Sequence, residues 1–106
     1  MRVLFDQGTP APLRNHLATH IVTTAFELNW GGLTNGALLS EAELAGFEVL
    51  VTTDQNLKYQ QNLKSRTIAI VVLTTTSWPR LQTSLPLIID AVSSATVGSY
   101  TEVSMP

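Results

Sequence analysis

The sequence predicts a single α/β domain, residues 1–106, with helices on both faces of a mostly parallel sheet of four or five strands. Three observations lead to this fold class. Segments with the pattern of strands alternate along the chain with segments that carry helix signals. The strongest strand candidate, residues 67–73 (TIAIVVL), is apolar throughout, which is typical of a strand buried on both faces of a parallel sheet. A chain of 106 residues, 44% of them hydrophobic, is long enough to bury one core.

The strand candidates are short apolar or β-branched runs bounded by turn residues. The first run ends at Asp6, and the third is followed closely by Asp54. The last run has the weaker pattern of an edge strand. In chain order, the predicted strands are residues 2–5, 21–24, 49–52, 67–73 and 100–103.

Helix boundaries are predicted from capping residues and proline positions. Thr9 and Pro10 are the residue types expected at an N-cap and a first helical position, so a first helix is predicted to run to about residue 20. Thr34 or Asn35 is expected to cap a second helix that stops at Gly46. A polar helix over residues 55–63, a turn at Ser77-Trp78-Pro79 and a final helix with Pro86 in its first turn complete the prediction.

Composition limits the classes of function. The chain has no cysteine, which excludes disulfides and thiolate metal sites. No apolar run approaches the ~20 residues that span a bilayer, and the first residues lack the apolar segment of a signal peptide. A cytoplasmic protein without a membrane partner is therefore expected. Because phosphate contacts need Lys or Arg, six basic residues and a net charge of −2 predict that any nucleic-acid contact is local, brief or helped by a partner.

Two of the predicted strands lead into aspartates. Asp6 follows residues 2–5, and Asp54 follows residues 49–52. The carboxyl ends of parallel strands lie at the same edge of a sheet, so both carboxylates are expected at that edge. Ligands of open parallel sheets bind there. Carboxylates are ligands for Mg²⁺ and Mn²⁺, and such ions activate water against phosphodiesters. Asp6 and Asp54 are therefore the candidate catalytic and metal-binding residues.

Each candidate acid also has an ordinary structural interpretation. Asp54 stands before a predicted helix, where aspartate is a favoured N-cap, and Asp6 precedes a Gly-Thr-Pro turn. Glu41 and Glu43 point to opposite sides of their predicted helix, so at most one faces the site. Glu43, near the helix end that leads into a strand, is the candidate third catalytic acid. A solvated surface glutamate is the alternative.

Basic side chains near these segments are candidates for phosphate contacts. They are Lys58, Lys64 and Arg14. All three lie on or beside predicted helices, so a solvated helix face is the alternative interpretation. The nucleotide-binding motifs GxxxxGK[ST] and GxGxxG do not occur in the sequence.

Three segments of the sequence together resemble a known family. They are VLFDQGTP at residues 3–10, GLTN at residues 32–35 and VLVTTD at residues 49–54. In this order and spacing they are similar to small PIN-like domains that are regarded as nucleases of toxin–antitoxin systems. The resemblance implies a PIN-like three-layer α/β/α sandwich, an Mg²⁺- or Mn²⁺-dependent endoribonuclease activity on RNA, and a cognate antitoxin as protein partner.

The chain departs from the family pattern at positions that are commonly acidic. Gln7 replaces a glutamate, Asn35-Gly36 replaces two acids before a helix, and Asn56 replaces a second aspartate after the third strand. Because metal affinity depends on ligand charge, the remaining acids are expected to hold one ion weakly, with Asn35 and Asn56 in positioning roles. The alternatives are a non-catalytic interaction or RNA-binding module of the same fold, and a homodimer with a scaffolding function.

Overall fold

The computed structural model describes residues 1–60 and 62–105. The strands are β1 (Arg2–Phe5), β2 (Ile21–Thr24), β3 (Val49–Thr52), β4 (Ala69–Leu73) and β5 (Tyr100–Val103). They form one sheet in the order β2-β1-β3-β4-β5, and every neighbouring pair is parallel. The predicted α/β fold class is confirmed.

A 3₁₀ helix and four α-helices connect the strands within the described residues. They are the 3₁₀ helix Ala11–His16, α1 (Asn35–Leu44), α2 (Leu57–Gln60), α3 (Trp78–Gln82) and α4 (Leu85–Ser93). The predicted second and final helices are confirmed. Of the helix predicted over residues 55–63, α2 is the observed part, and Gln61 lies outside the described residues.

The strands supply two cores because successive side chains of a strand point to opposite faces of the sheet. Val3 and Phe5 of β1 face one core, and Leu4 faces the other. Leu13 of the 3₁₀ helix, Leu81 of α3 and Ile88 of α4 cover the first core, and Leu39 of α1 and Leu57 of α2 cover the second. Helices therefore lie on both faces, which is compatible with a three-layer α/β/α sandwich. None of the described helices is long and apolar enough to cross a membrane.

Helix α1 has the caps that its sequence predicts. The Thr34 hydroxyl accepts a hydrogen bond from the Ala37 N–H at 3.3 Å, and Gly46 follows the helix with a φ of 84°. This left-handed conformation is one that glycine adopts without a steric penalty. Since α1 joins two parallel strands, it starts at the carboxyl edge of the sheet and ends at the amino edge.

Two predictions of local structure are wrong. The first helix is a 3₁₀ helix that ends at His16, and its N-cap is Pro10 rather than Thr9. The Thr9 hydroxyl lies instead within hydrogen-bond distance of acceptors in the turn after β1 and in β3. The sequence predicts a turn at residues 77–79, but Trp78 and Pro79 are the first residues of α3, and Ser77 is its N-cap, because the Ser77 hydroxyl accepts a hydrogen bond from the Arg80 N–H.

Candidate functional site

Asp6 and Asp54 lie at the carboxyl edge of the sheet, after the neighbouring strands β1 and β3. The Asp6 N–H donates a hydrogen bond to the Val51 carbonyl at 3.2 Å. The Thr52 hydroxyl connects the two acids, because it donates to Asp6 Oδ2 and accepts from the Asp54 N–H at 3.1 Å. Thr52 is only 2% exposed, so water has little access to this connection.

The carboxylate of Asp6 is held from two sides. Oδ2 accepts from Thr52, and Oδ1 lies 2.8 Å from the Thr9 hydroxyl. The same hydroxyl lies 2.9 Å from the Val51 carbonyl. Since a hydroxyl has one proton, Thr9 donates to one of these acceptors at a time. The turn after β1 and the end of β3 together fix the orientation of Asp6.

Both carboxylate oxygens of Asp54 accept hydrogen bonds. Oδ1 accepts from the backbone N–H of Asn56 at 2.9 Å, which forms an Asx turn leading into α2. Oδ2 accepts from the side-chain amide of Asn35, the first residue of α1, at 2.9 Å. Asp54 therefore accepts a backbone hydrogen bond at the start of α2, which is the structural role that the sequence offered as an alternative to metal binding. Its role as a metal ligand, and the substrate-positioning roles of Asn35 and Asn56, stay predictions.

The carboxylates of Asp6 and Asp54 are groups of the type that binds a hard divalent cation. Among residues 1–60 and 62–105, no group of three or more His, Cys, Asp or Glu side chains is placed to hold a metal ion. An ionised carboxylate offers about four lone-pair sites, so the hydrogen bonds to Asp6 and Asp54 leave acceptor capacity for further ligands. Mg²⁺ is commonly held by one or two carboxylates, with waters and substrate phosphates as its other ligands.

Glu43 lies at the amino edge of the sheet, away from Asp6 and Asp54. Its Oε2 accepts from the Thr67 N–H at 2.6 Å and the Thr67 hydroxyl at 2.8 Å, and its Oε1 accepts from Arg66 at 2.8 Å. Burial raises the pKa of Glu43, but these hydrogen bonds outweigh it and lower the pKa to about 2. The prediction that Glu43 faces the site is wrong, because the C-terminal end of α1 lies at the opposite edge.

Arg14 is paired with Glu27 beside the carboxyl end of β2. Glu27 also accepts hydrogen bonds from the N–H of Thr24 at 3.0 Å and from its hydroxyl at 3.1 Å. The backbone hydrogen bond from Thr24 and the hydrogen bond from Arg14 lower the pKa of Glu27. Since the positive charge of Arg14 already has a carboxylate partner, phosphate contact by Arg14 stays a prediction.

Lys58 and Lys64 follow Asp54 along the chain. The Lys58 ammonium donates to Glu102 at 2.8 Å, and this hydrogen bond raises the pKa of Lys58. The ammonium also lies 5.2 Å from the centre of the Tyr59 ring. The backbone N–H of Lys64 donates to the Asn62 side chain at 3.1 Å. Phosphate contact by these two lysines stays a prediction.

The sequence did not point to Thr52, Gln7 or Phe26 as site residues. Thr52 is the polar last residue of an apolar strand, and that position was the available signal. Gln7 and Phe26 line a cavity of about 390 Å³ next to Asp6. Each follows a strand end by one or two residues, so both belong to the carboxyl edge where a parallel sheet binds ligands.

No family model, curated protein or solved structure matches the chain significantly. The resemblance to PIN-like domains therefore stays a prediction, carried by the three sequence segments that suggested it. The arrangement of Asp6, Thr52 and Asp54 is the observation from which function is argued below.

Proposed function

We propose that this domain is a PIN-like endoribonuclease of the cytoplasm that uses one Mg²⁺ or Mn²⁺ ion held by Asp6 and Asp54. The observation that carries the proposal is the Thr52 hydroxyl, which connects the carboxylate of Asp6 to the backbone of Asp54. Two aspartates on neighbouring parallel strands are thereby ordered at the edge where such sheets bind ligands.

Each residue of the site has a distinct part in this activity. When bound, a divalent cation supplies the positive charge that activates water and stabilises the leaving oxygen of a phosphodiester. Asp6 and Asp54 hold the ion, and Thr52 fixes the orientation of Asp6. The Asn35 amide keeps Asp54 in place without adding a third negative charge. Because affinity in an oxygen site grows with ligand charge, weak metal binding and slow cleavage are expected.

The resemblance adds a partner to this proposal. In a toxin–antitoxin system, the nuclease is expected to be neutralised by a cognate antitoxin protein. Expression of the domain alone should then slow bacterial growth, and expression of the Asp54→Asn variant should not. Equal growth with both proteins would remove the toxin role while leaving the nuclease activity open to direct assay.

The direct test is calorimetric titration with Mn²⁺ combined with an RNA cleavage assay. The unchanged protein should release or absorb heat and cleave RNA, whereas Asp6→Asn and Asp54→Asn should do neither. Glu41→Gln is the matched control, because it removes one exposed carboxylate of α1 outside the site. Cleavage that persists in Asp54→Asn would refute the assignment of this site.

A second candidate function is a non-catalytic RNA-binding or interaction module of the same fold. It is favoured by the hydrogen bonds that each carboxylate oxygen of Asp6 and Asp54 already accepts from within the chain. This network orders the edge without a metal ion. RNA that stays intact with Mg²⁺ and with Mn²⁺, while it still binds the protein, would select this function.

A further inference from the structure

Phe26 is an aromatic residue whose side chain is exposed to solvent. It is 77% exposed, although its neighbour Ala25 is 2% exposed. Burial of a large apolar side chain is favourable, so the exposed ring of Phe26 does not contribute this stabilisation to the fold. An exposed aromatic ring beside a cavity can stack on a planar ligand. Phe26 is therefore a candidate binding residue.

The turn that presents Phe26 is fixed by backbone hydrogen bonds. The Ala25 N–H donates to Phe5 at the end of β1, and the Trp30 N–H donates to the Ala25 carbonyl, both at 2.8 Å. Asn29 closes the turn with a φ of 60°, a left-handed conformation that asparagine tolerates. The backbone that carries Phe26 is thus ordered before a ligand arrives, which lowers the entropic cost of binding.

A cavity of about 390 Å³ lies between Phe26 and the candidate site. Its lining is Asp6, Gln7, Thr9, Ala11, Thr24 and Phe26. This volume falls in the range of roughly 300–1,000 Å³ found for small-ligand sites. The lining combines one aromatic face with a few polar groups, and Asp6 links the cavity to the proposed metal site.

Gln7 is one of the polar side chains in the lining of this cavity. No hydrogen bond among residues 1–60 and 62–105 engages the Gln7 side-chain amide, which carries both donors and an acceptor. The amide lies against Gly31, where an added Cβ would be 2.0 Å from Gln7 Nε2. Glycine at position 31 therefore leaves the space that the amide occupies beside Phe26.

We propose that this cavity binds one unpaired nucleobase of single-stranded RNA, with Phe26 stacking on the base and the Gln7 amide hydrogen-bonding its edge. The proposal deepens the proposed ribonuclease function and rests on it for the identity of the polymer. Aromatic stacking on splayed-out bases and hydrogen bonds to base edges are the common means of binding single-stranded RNA.

The charge of the chain favours a base over a phosphate as the group that is recognised. The chain has six Lys and Arg residues and a net charge of −2, and Arg14, the arginine of the adjoining 3₁₀ helix, is paired with Glu27. Binding by phosphate contacts needs unpaired cations in number. Stacking on Phe26 needs none, and it selects single strands because duplex bases are already stacked.

The test compares Phe26→Ala with Phe26→Tyr, using the fluorescence of 2-aminopurine in a short single-stranded oligoribonucleotide. Loss of one stacked base predicts that Phe26→Ala weakens binding about 5- to 160-fold. Phe26→Tyr should bind within about 3-fold of the unchanged protein, because tyrosine retains a π face. Leu44→Ala is the matched control, since Leu44 is an equally exposed apolar residue of α1, at 82%, and should leave binding unchanged. Thermal unfolding of each variant checks that the fold is intact.

Titrations in EDTA and in Mn²⁺ separate this inference from the proposed function. Binding in EDTA that depends on Phe26, without cleavage in Mn²⁺, supports the base site and counts against the nuclease. Cleavage in Mn²⁺ with unchanged binding by Phe26→Ala overturns the base site and leaves the nuclease. Failure of the unchanged protein to bind single-stranded RNA in either buffer overturns the inference. A dimer in gel filtration that becomes a monomer in Phe26→Ala also overturns it, because Phe26 then joins two copies of the chain.

Discussion

Replacement of Glu43 by glutamine should destabilise the domain strongly, although Glu43 lies outside the candidate site. The carboxylate joins the end of α1 to the segment before β4 through Arg66, the Thr67 N–H and the Thr67 hydroxyl. Its side chain is 20% exposed, and the hydrogen bond from Arg66 is partly buried, whereas the two from Thr67 lie at the surface. Glutamine is neutral and presents an NH₂ group where donors already point, so at least one of these donors loses its acceptor.

The magnitude follows from the pKa of Glu43. Burial raises the pKa, but the hydrogen bonds from Arg66, Thr67 and Ile68 lower it from 4.5 to about 2. Each pKa unit corresponds to 1.36 kcal/mol, so the ionised form contributes at most about 3 kcal/mol to the free energy of unfolding at pH 7. Solvent screening of the exposed hydrogen bonds from Thr67 lowers this contribution toward about 2 kcal/mol. Because the folded-state pKa is depressed, this contribution is complete above about pH 5 and is lost as the pH falls toward 2.

The assay is urea unfolding of the unchanged protein, Glu43→Gln and the control Glu41→Gln at pH 7 and pH 3. At pH 7, Glu43→Gln should lose about 2–3 kcal/mol, which corresponds to about 10–20 °C in thermal midpoint. At pH 3 the difference from the unchanged protein should shrink, because protonation begins to remove the same charge. A loss below about 0.5 kcal/mol at pH 7, the usual effect of a surface substitution, would refute the reasoning.

Two further predictions concern the edges of the sheet. Thr52→Val leaves Oδ2 of Asp6 without its donor and the Asp54 N–H without its acceptor, so urea unfolding should show a loss of about 2 kcal/mol; an unchanged urea midpoint would contradict the proposed connection. Gly46→Ala forces a side chain into a left-handed φ of 84°, and thermal unfolding should show a loss of about 1–2 kcal/mol. The added Cβ would lie 2.8 Å from the flexible Arg2 side chain. Because that side chain can move, backbone strain is the main cost. Unchanged stability would mean that the turn relaxes.

The strands were predictable because each is a short apolar or β-branched run with a clear end. All residues of β3 and β4 are buried, and the uninterrupted apolar character of β4 implied this for that strand. Helix α1 was predictable from the Thr34 cap and from Gly46, which act locally. Both signals lie within a few residues of the feature they determine, so no knowledge of the tertiary structure was needed.

Features that depend on tertiary partners were not predictable in the same way. Thr9 is a residue type that is common at N-caps, but its hydroxyl lies near Asp6 and the carbonyl of Val51, which is 42 positions away in the chain. The position of Glu43 was available from topology, since a helix that leads into a parallel strand ends at the amino edge of the sheet. Glu43 is close to β3 in the sequence, but it precedes the amino end of that strand, whereas the candidate site follows the carboxyl end.

The nuclease and the non-catalytic module both contain the hydrogen-bond network of Asp6, Thr52 and Asp54. They differ in whether this network only stabilises the fold or also orients metal ligands. A network that serves only the fold needs Thr52 for stability, so Thr52→Val should lower the urea midpoint in proportion to the bonds it removes. A metal site needs Thr52 in addition to orient the carboxylate of Asp6, since ligand geometry is set by residues beyond the ligands themselves. If the Thr52→Val domain remains folded but binds Mn²⁺ more weakly, the network serves a metal site. A purely structural network does not predict this loss of affinity.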